Sequence, residues 1–184
     1  MPAGTNEKPL RLFLALWPED SVRLRLGATM AALKPTVSGR WLRPEQLHLT
    51  LAFLGAVERQ RLPELNRIAA RAAGLGFDLL LDRVECWPRN GIVCLAPGAV
   101  PSALLGLAER LNQGLGQAGY RLDPRPFRAH LTLARDGRPQ GALGSLAAPI
   151  WWPVRSFSLV ESRLEPRGAI YRVLETWPLA DPRD

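Results

Sequence analysis

The amino-acid sequence predicts an α+β fold. Helical segments mix with pairs of short strands joined by turn signals, a pattern that favours α+β over a doubly wound parallel sheet. The length of 184 residues suits one domain, or two small lobes that share a core. The same tetrapeptide occurs at residues 48–51 and 130–133, which indicates an internal duplication.

The composition is that of an ordinary folded protein with an excess of positive charge. Hydrophobic residues make up 47% of the chain and charged residues 22%, so disorder throughout the chain is excluded. The formal net charge of +7 attracts polyanions, and nucleic acid is the first candidate. All basic residues except Lys8 and Lys34 are arginine, which a GC-rich genome would also produce. The charge alone therefore leaves the function open.

The first half of the chain contains clear start and stop signals. An apolar run followed by a turn signal predicts a buried strand, and acidic residues then open a helix where the dipole favours them. Lys34-Pro35 ends that helix, Gly55 closes the second strand and Gly74 stops the second helix. The predicted elements are a strand at Leu10–Trp17, a helix from residues 18–20 to Leu33, an extended segment at Trp41–Pro44, a strand at Leu47–Leu54 and a helix from Glu58 to Ala73.

The second half of the chain predicts hairpins around one further helix. Residues 88–91 and 165–168 have turn-forming sequences, and the helix has a proline at its start and Gly119 just past its end. The predicted elements are strands at Phe77–Trp87 and Gly91–Ala96, a helix at Pro101–Ala118, a stiff loop at Pro124–Phe127, a strand at His130–Ala134, a Gly/Pro/Ala-rich loop at 136–149, and strands at Trp151–Leu164 and Ile170–Trp177.

Two features indicate the cellular compartment. The apolar run at Leu12–Trp17 is too short for a signal peptide or a membrane span, so we expect a cytoplasmic protein without membrane contact. Cys86 and Cys94 flank the first hairpin turn and have no histidine nearby, which argues against a zinc site. We expect buried free thiols, with a disulfide across the hairpin as the alternative.

The two histidines of the chain, His48 and His130, both begin the sequence His-Leu-Thr-Leu. Because side chains alternate along a strand, each histidine shares a face with its threonine, and the leucines occupy the other face. A segment with an aromatic residue, a proline and an arginine precedes each copy. If the halves pack about a pseudo-twofold axis, both histidines converge with Thr50 and Thr132 on one space.

This set of side chains suits in-line displacement at phosphorus. One neutral imidazole can accept a proton from water, and the other, protonated, can donate a proton to the departing oxygen. The threonine hydroxyls can donate hydrogen bonds to phosphate oxygens. A single His-x-Thr is ordinarily a packed or surface feature, but its duplication without a third histidine argues against that interpretation. Neither tetrapeptide contains an acidic residue, so we expect no metal and no other cofactor.

Four blocks that surround the motifs, at residues 11–18, 40–55, 126–135 and 161–171, are similar to a known family in the same order. They resemble the bacterial RNA 2′,3′-cyclic phosphodiesterases, also called 2′-5′ RNA ligases (the ThpR/LigT family), of the 2H phosphoesterase superfamily. The resemblance extends from about residue 10 to residue 179. It implies a single domain over residues 1–184, built from two pseudo-symmetric lobes. Each lobe would be an antiparallel sheet with outer helices, and the lobes would flank one active-site cleft.

The resemblance also implies a reaction. It would be hydrolysis of RNA 2′,3′-cyclic phosphate ends to 2′-phosphomonoesters, with ATP-independent 2′-5′ joining of tRNA halves in reverse. His48 would be the proton donor to the leaving 3′ oxygen, and His130 the proton acceptor that activates water. The expected partner is RNA with cyclic phosphate ends, and the expected state is a monomer.

Further substrate-binding candidates lie near the second motif. Strand alternation places Arg135 on the face opposite His130, so it reaches the cleft only if the strand ends or bulges; the resemblance makes it a candidate phosphate ligand. Arg128 would share the histidine face in an extended chain. Phe127 and Trp41 are candidates to stack on a base, with core packing as the alternative.

Two alternatives remain at the level of the sequence. A non-catalytic RNA-end-binding module of the same fold would explain the charge and the aromatic residues, although the intact motifs argue against it. Another substrate is the second alternative: a cyclic nucleotide, an ADP-ribose cyclic phosphate or a 2′-5′ oligoadenylate. Ser162 and Tyr171 lie in the last predicted hairpin, and the spacing does not support a role of Ser162 in the cleft.

Overall fold

The computed structural model describes residues 8–166 and 168–181. Within these ranges the chain forms strands, three α-helices and two short 3₁₀ turns at Pro44–Gln46 and Arg59–Arg61. The elements are β1 (Leu10–Leu16), α1 (Asp20–Leu33), β2 (Val37–Trp41), β3 (Leu49–Val57), α2 (Leu62–Ala72), β4 (Phe77–Trp87), β5 (Ile92–Ala96), α3 (Ser102–Gln117), β6 (Leu131–Pro139), β7 (Ser145–Val154), β8 (Ser156–Glu165) and β9 (Gly168–Pro178).

The strands form antiparallel pairs in the order β7-β4-β5-β6-β3-β1-β8-β9, with β2 paired to β6. This order divides at the contact between β6 and β3 into two sets of four strands. In each set a strand leads into a helix, β1 into α1 and β5 into α3. The strand that carries the His-Leu-Thr-Leu motif then pairs with that first strand, β3 with β1 and β6 with β5. The predicted α+β class and its two-lobed antiparallel arrangement are confirmed.

The helices cover the sheet with their apolar sides. On α2, Leu65, Ala69 and Ala72 are buried at helical spacing. Helix α3 packs against α2 and β3, and α1 packs against β7, so each of α1 and α3 contacts strands of the opposite set. Within the described residues, no helix has both the length and the apolar character needed to cross a membrane.

The predicted loop at 136–149 is wrong, because much of it lies in strands. β6 continues to Pro139 and β7 begins at Ser145. β2 pairs along the extension of β6, and β4 pairs along β7. These backbone partners hold the segment extended despite its glycine and proline content, since strand formation depends on context more than on composition.

The predicted strand at Trp151–Leu164 is also wrong, since it is two strands that break at Arg155. β7 pairs with β4 at one edge of the sheet, and β8 pairs with β1 in the other set. Pro153 lies on β7, where an edge strand tolerates a residue without a backbone donor. The β8–β9 hairpin is confirmed, and Arg167 of its predicted turn lies outside the described residues.

Several boundaries in the first half also differ from the prediction. The predicted helix at Glu58–Ala73 is a 3₁₀ turn at Arg59–Arg61 followed by α2. The extended segment is β2, which ends at Trp41, and Pro44 begins a 3₁₀ turn. Gly55 does not close the second strand, because β3 continues to Val57 and Gly55, at φ +69°, lies at an irregularity in its pairing with β1.

The cysteines are both free thiols, as predicted, but the predicted burial holds for Cys94 and not for Cys86. Cys94 is buried and pairs in register with Glu85, so it does not face the half-buried Cys86. Burial raises the pKa of Cys94 to about 12, so this thiol stays protonated at neutral pH.

Candidate active site

The two motifs meet where β3 and β6 pair. Leu49 lies opposite Leu131 in antiparallel register. Continuing the register by one residue in each direction places each histidine opposite the threonine of the other motif. Both leucines are fully buried, so the polar side chains share the other face of the sheet. A pseudo-twofold axis therefore passes between the two leucines.

A cleft of about 200 Å³ lies on this polar face. Its walls include both histidines, both threonines and Arg135, so the structure brings five of the predicted site residues together. The remaining walls come from both halves of the chain: Arg11, Phe13, Leu42, Gln46, Phe53, Ile92, Ser162 and Tyr171.

The histidines are held by the same local contact. Nδ1 of His48 lies 2.7 Å from the carbonyl oxygen of Gln46, and Nδ1 of His130 lies 2.7 Å from that of Arg128. A carbonyl only accepts, so each Nδ1 carries the proton that it donates. In the neutral rings Nε2 is therefore left as the proton acceptor, which is the form that a general base requires.

A β-bulge after the second motif explains the position of Arg135. Consecutive residues of β5 pair with Thr132 and Ala134, so Leu133 is an extra residue on β6. The bulge inverts the side-chain alternation from that point on. Arg135 consequently shares the histidine face, as the sequence permitted only if the strand bulged there.

The first motif carries the same bulge. Consecutive residues of β1 pair with Thr50 and Ala52, so Leu51 is the extra residue, and Phe53 turns to the histidine face. Phe53 is 44% exposed and lines the cleft. The guanidinium carbon of Arg11 lies 4.8 Å from the centroid of its ring.

His48 lies among three aromatic rings. The ring centroids of Phe13, Trp17 and Tyr171 lie 4.8, 5.6 and 5.2 Å from the imidazole centroid. Trp17 is stacked on His48, and the guanidinium carbon of Arg23 lies 5.0 Å from the Trp17 centroid. This enclosure removes water from the imidazole and holds the ring in place.

Burial lowers the pKa of His48 to about 4, because the charged imidazolium loses its hydration. The hydrogen bond to the Gln46 carbonyl opposes this shift. The positive charges of His130, Arg23 and Arg135 lower the pKa further. In the unliganded cleft His48 is therefore neutral at physiological pH.

His130 has a more polar environment. Its ring centroid lies 4.5 Å from that of Trp87, whose Nε1 donates to Glu85 at 3.0 Å. Arg128 forms an ion pair with Glu85 and lies over Trp87, 4.6 Å from the centroid. Burial is the largest cause of the lowered pKa of His130; the charge of Arg128 contributes to it, and that of Glu85 opposes it.

A second cavity of about 480 Å³ adjoins the cleft and shares Thr50, Phe53 and His130 with it. The predicted ligands Arg128 and Phe127 line this second cavity and not the cleft. Phe127 also packs against the core, and so does the half-buried Trp41, which lines neither space.

Several residues of the cleft were not among those predicted from the sequence. Phe53 could have been found, because the repeat extends through Ala52 and Ala134 and puts Phe53 at the position equivalent to Arg135. Ser162 and Tyr171 lie opposite each other on β8 and β9, where no motif marks them. Arg11, on β1, likewise reaches the cleft only through the packing of the sheet.

Clusters of metal-ligating side chains are absent from the part of the chain that the structure describes. Within residues 8–166 and 168–181, no three His, Cys, Asp or Glu side chains come together. The polar groups that line the cleft are imidazoles, hydroxyls, guanidiniums and the amide of Gln46, and this set, without a carboxylate, suits an anion better than a cation.

The chain matches one family model twice, once in each half. The model, described as LigT like Phosphoesterase, matches residues 16–94 and 95–171. The chain belongs to this family. The resemblance seen in the sequence is thereby confirmed, and the boundary between the two matches supports the internal duplication.

Relatives and solved structures of the LigT-like phosphoesterase family are similar over nearly the whole chain. The RNA 2′,3′-cyclic phosphodiesterase of Thermus thermophilus is 34% identical over 92% of this chain and 90% of the relative. The crystal structure of Escherichia coli LigT in apo form has a TM-score of 0.87 at 31% identity, covering 95% of this chain and 99% of that one. The structure of E. coli LigT complexed with 3′-AMP has a TM-score of 0.86 at 32% identity, covering 93% and 98%.

Proposed function

We propose that this protein hydrolyses RNA 2′,3′-cyclic phosphate ends to 2′-phosphomonoesters, with His48 and His130 as acid and base and without a metal ion. The observation that carries the proposal is the convergence of two His-Thr pairs about a pseudo-twofold axis on one cleft. The Thermus thermophilus relative, named for this activity, supports the choice of substrate.

The proposed reaction is an in-line displacement at phosphorus. His130 accepts a proton from a water molecule, whose oxygen forms a bond to phosphorus. The bond between phosphorus and the 3′ oxygen breaks, and His48 donates its proton to that oxygen. The products are a 2′-phosphomonoester and a free 3′-hydroxyl, and the histidines return to their starting protonation by exchange with solvent.

The threonines and Arg135 stabilise the phosphate in this proposal. The hydroxyls of Thr50 and Thr132 donate to the non-bridging oxygens, and the guanidinium of Arg135 forms a charge-assisted bond with them. The negative charge of the bound phosphate also raises the pKa of His48 from its low value in the unliganded cleft. The substrate therefore supplies the charge that lets His48 carry the acid proton.

The second cavity is the proposed site of the terminal nucleoside. It opens directly from the cleft at Thr50 and His130, and Phe53 and Phe127 offer apolar ring faces for a base. Arg128 lies on its wall, where it can contact ribose or phosphate oxygens. The E. coli LigT complex with 3′-AMP, a nucleotide with a phosphate on its ribose, supports a nucleoside next to the phosphate site.

The same chemistry supports ATP-independent 2′-5′ ligation. A 5′-hydroxyl of a second RNA, such as a tRNA half, replaces water as the nucleophile, and the product is a 2′-5′ phosphodiester. We further propose that residues 1–184 act as one domain and as a monomer in the cytoplasm. The composition of the cleft walls, which come from both halves of the chain, supports the single domain.

An oligonucleotide with a 2′,3′-cyclic phosphate end tests the hydrolysis. It is incubated with the protein in EDTA, and ³¹P NMR assigns the product. We expect turnover to a 2′-phosphate. A strict metal requirement or a 3′-phosphate product would contradict the proposal. If the parent binds RNA ends but turns over no cyclic phosphate, and either histidine variant binds equally well, the non-catalytic end-binding module is the better description.

A further inference from the structure

A groove of about 500 Å³ lies between α2 and α3, on the helical side of the sheet. Arg67 and Arg71, four residues apart on α2, face it from one side, and Arg110 of α3 faces it from the other. The exposed side chains of Gln113 and Gln117 also line it, together with Ile68 and the small residues Ala72, Gly114 and Ala118. The proposed hydrolysis does not use this groove.

The three arginines of the groove form no ion pair among the described residues. Arg110 donates from Nε to the Ala72 carbonyl at 2.8 Å, and the other contact is a bond of 3.4 Å from Arg67 to the Pro63 carbonyl. Seven other arginines pair with carboxylates: Arg40, Arg43, Arg61, Arg125, Arg128, Arg155 and Arg163. Part of the positive charge of the chain is therefore concentrated, without acidic partners, in this groove.

The acidic residue that lines the groove, Glu64, already accepts hydrogen bonds from Arg61 and Tyr120. Its Oε2 accepts a hydrogen bond from Nε of Arg61 at 2.9 Å and one from the Tyr120 hydroxyl at 3.2 Å. The pKa of Glu64 is lowered mainly by the bond from Arg61, and Arg67 is the least of the causes. The groove thus presents three guanidiniums to a ligand with little internal compensation.

The groove lies across one helix from the second cavity. On α3, Asn112 lines the second cavity and Gln113 lines the groove, so the helix separates the two spaces. An α-helix with its side chains is about 10–12 Å wide. An RNA chain that leaves the cleft through the second cavity therefore has to cross only α3 to reach the arginines.

We propose that the α2/α3 groove binds the phosphodiester backbone of the RNA upstream of the cyclic phosphate end. The inference rests on the proposed function and adds a second contact site for long substrates. Guanidinium forks match phosphate oxygens, and amides can bond ribose hydroxyls. The described residues that line the groove include no aromatic anchor of the kind that protein interfaces favour.

The test compares two substrates and two triple variants. One substrate is a dinucleotide and the other a single-stranded oligonucleotide of about twenty residues, long enough to pass α3; both end in a 2′,3′-cyclic phosphate. The variant carries Arg67→Gln, Arg71→Gln and Arg110→Gln. The matched control removes the same charge at Arg25, Arg83 and Arg138, which are exposed and line neither the cleft, the second cavity nor the groove.

We expect the groove variant to keep kcat/KM on the dinucleotide and to lose about tenfold or more on the long RNA. Single strands release about 0.7 counterion per phosphate contact, so the salt dependence of log KM for long RNA should lose about 2 in slope. The control variant should show neither change. The double variant Arg67→Gln/Arg71→Gln keeps the bond from Arg110 to the Ala72 carbonyl, so it controls for misfolding caused by the loss of that bond. It should show an intermediate loss on the long RNA.

Three results would overturn the inference: equal losses on both substrates, equal losses in the control variant, or an acidic peptide that binds through these arginines when RNA does not. Binding of a long oligonucleotide with a plain 3′-hydroxyl, followed by fluorescence anisotropy, gives a readout without turnover. If the parent hydrolyses neither substrate, the proposed function fails, while a loss of anisotropy binding confined to the groove variant would still support the groove.

Discussion

The two copies of the motif share a backbone but not an environment. Each has the same five residues, the same bulge and the same bond from Nδ1 to a carbonyl two residues earlier. His48 lies among three aromatic rings, and the guanidinium of Arg23 lies over one of them, Trp17. His130 contacts one ring, Trp87, which carries the Glu85–Arg128 ion pair.

The position of each histidine and its pKa therefore have different causes. The repeated sequence sets where each Nε2 lies, since each Nδ1 bonds to a carbonyl only two residues earlier in the chain. The surrounding strands set the pKa, and they lower that of His48 to about 4 while Glu85 counteracts the fall at His130. In the cleft without substrate His130 is therefore the more basic of the two imidazoles. The proposed role of His48 as the acid depends on the rise in its pKa that the negative charge of the bound phosphate causes.

The largest effect should come from removing the imidazole of either His48 or His130. We expect His48→Ala and His130→Ala each to lower kcat by at least ~10²-fold on a 2′,3′-cyclic phosphate oligonucleotide, the lower end for one general acid or base. The double variant should lose little more than the more impaired single variant, because the proposed mechanism uses both groups in one step. Circular dichroism serves as the control for folding. Loss of less than tenfold in either variant would mean that the two imidazoles do not share a reaction.

Acid should destabilise the fold mainly through His48. The unfolded imidazole takes up a proton below pH 6.5, whereas the folded one stays neutral until about pH 4. The free energy of unfolding should therefore fall as the pH drops through this window, by up to about 3 kcal/mol. Urea denaturation between pH 7 and pH 4.5 measures the fall.

Glutamine variants separate the two histidines in the same urea experiment. His48→Gln should remove most of the pH dependence that the histidines contribute, and His130→Gln a smaller part, since the pKa of His130 is also lowered but by less. The same pH dependence in His48→Gln as in the parent would contradict the enclosure of this ring.

The chemistry of the site could be predicted from the sequence because it is local. The His-x-Thr pairs need only strand alternation to share a face, and Leu49, Leu51, Leu131 and Leu133 are buried as the pattern requires. Arg135 could not be placed by alternation, since a bulge depends on how the partner strand pairs. The same holds for Tyr171 and Ser162, which reach the cleft because β8 lies beside β1, a pairing over about 145 residues of sequence that no local signal marks.

The next effect concerns the equivalent positions after the two bulges. Arg135→Gln should lower kcat/KM by about 10- to 100-fold, since a hydrogen bond to a charged group contributes ~1.5–3 kcal/mol. Phe53→Leu should raise KM about fivefold with kcat unchanged, as expected for the loss of ~1 kcal/mol of stacking. Steady-state kinetics on the dinucleotide distinguish the two. Equal losses of kcat in both variants would contradict this difference and would show that Phe53, after the first motif, also positions the phosphate.

The smallest effect tests the comparison most directly, because it leaves the site residues in place. Arg23→Met removes a charge that lowers the pKa of His48, so that pKa should rise. Glu85→Gln removes a charge that raises the pKa of His130, so that pKa should fall. We expect each shift to stay below about one pH unit, or ~1.4 kcal/mol. The chain has two histidines, so NMR titration of their ring protons resolves both.

The opposite signs of these shifts are what the two environments require. Arg23→Lys keeps the charge and should leave the pKa of His48 near that of the parent, which separates the charge from the packing on Trp17. Glutamine at position 85 can still accept the bond from Trp87, so the ring that contacts His130 should stay in place. If both variants moved both pKa values in one direction, the two histidines would have to titrate as one coupled pair, and the assignment of a separate pKa to each imidazole would be wrong.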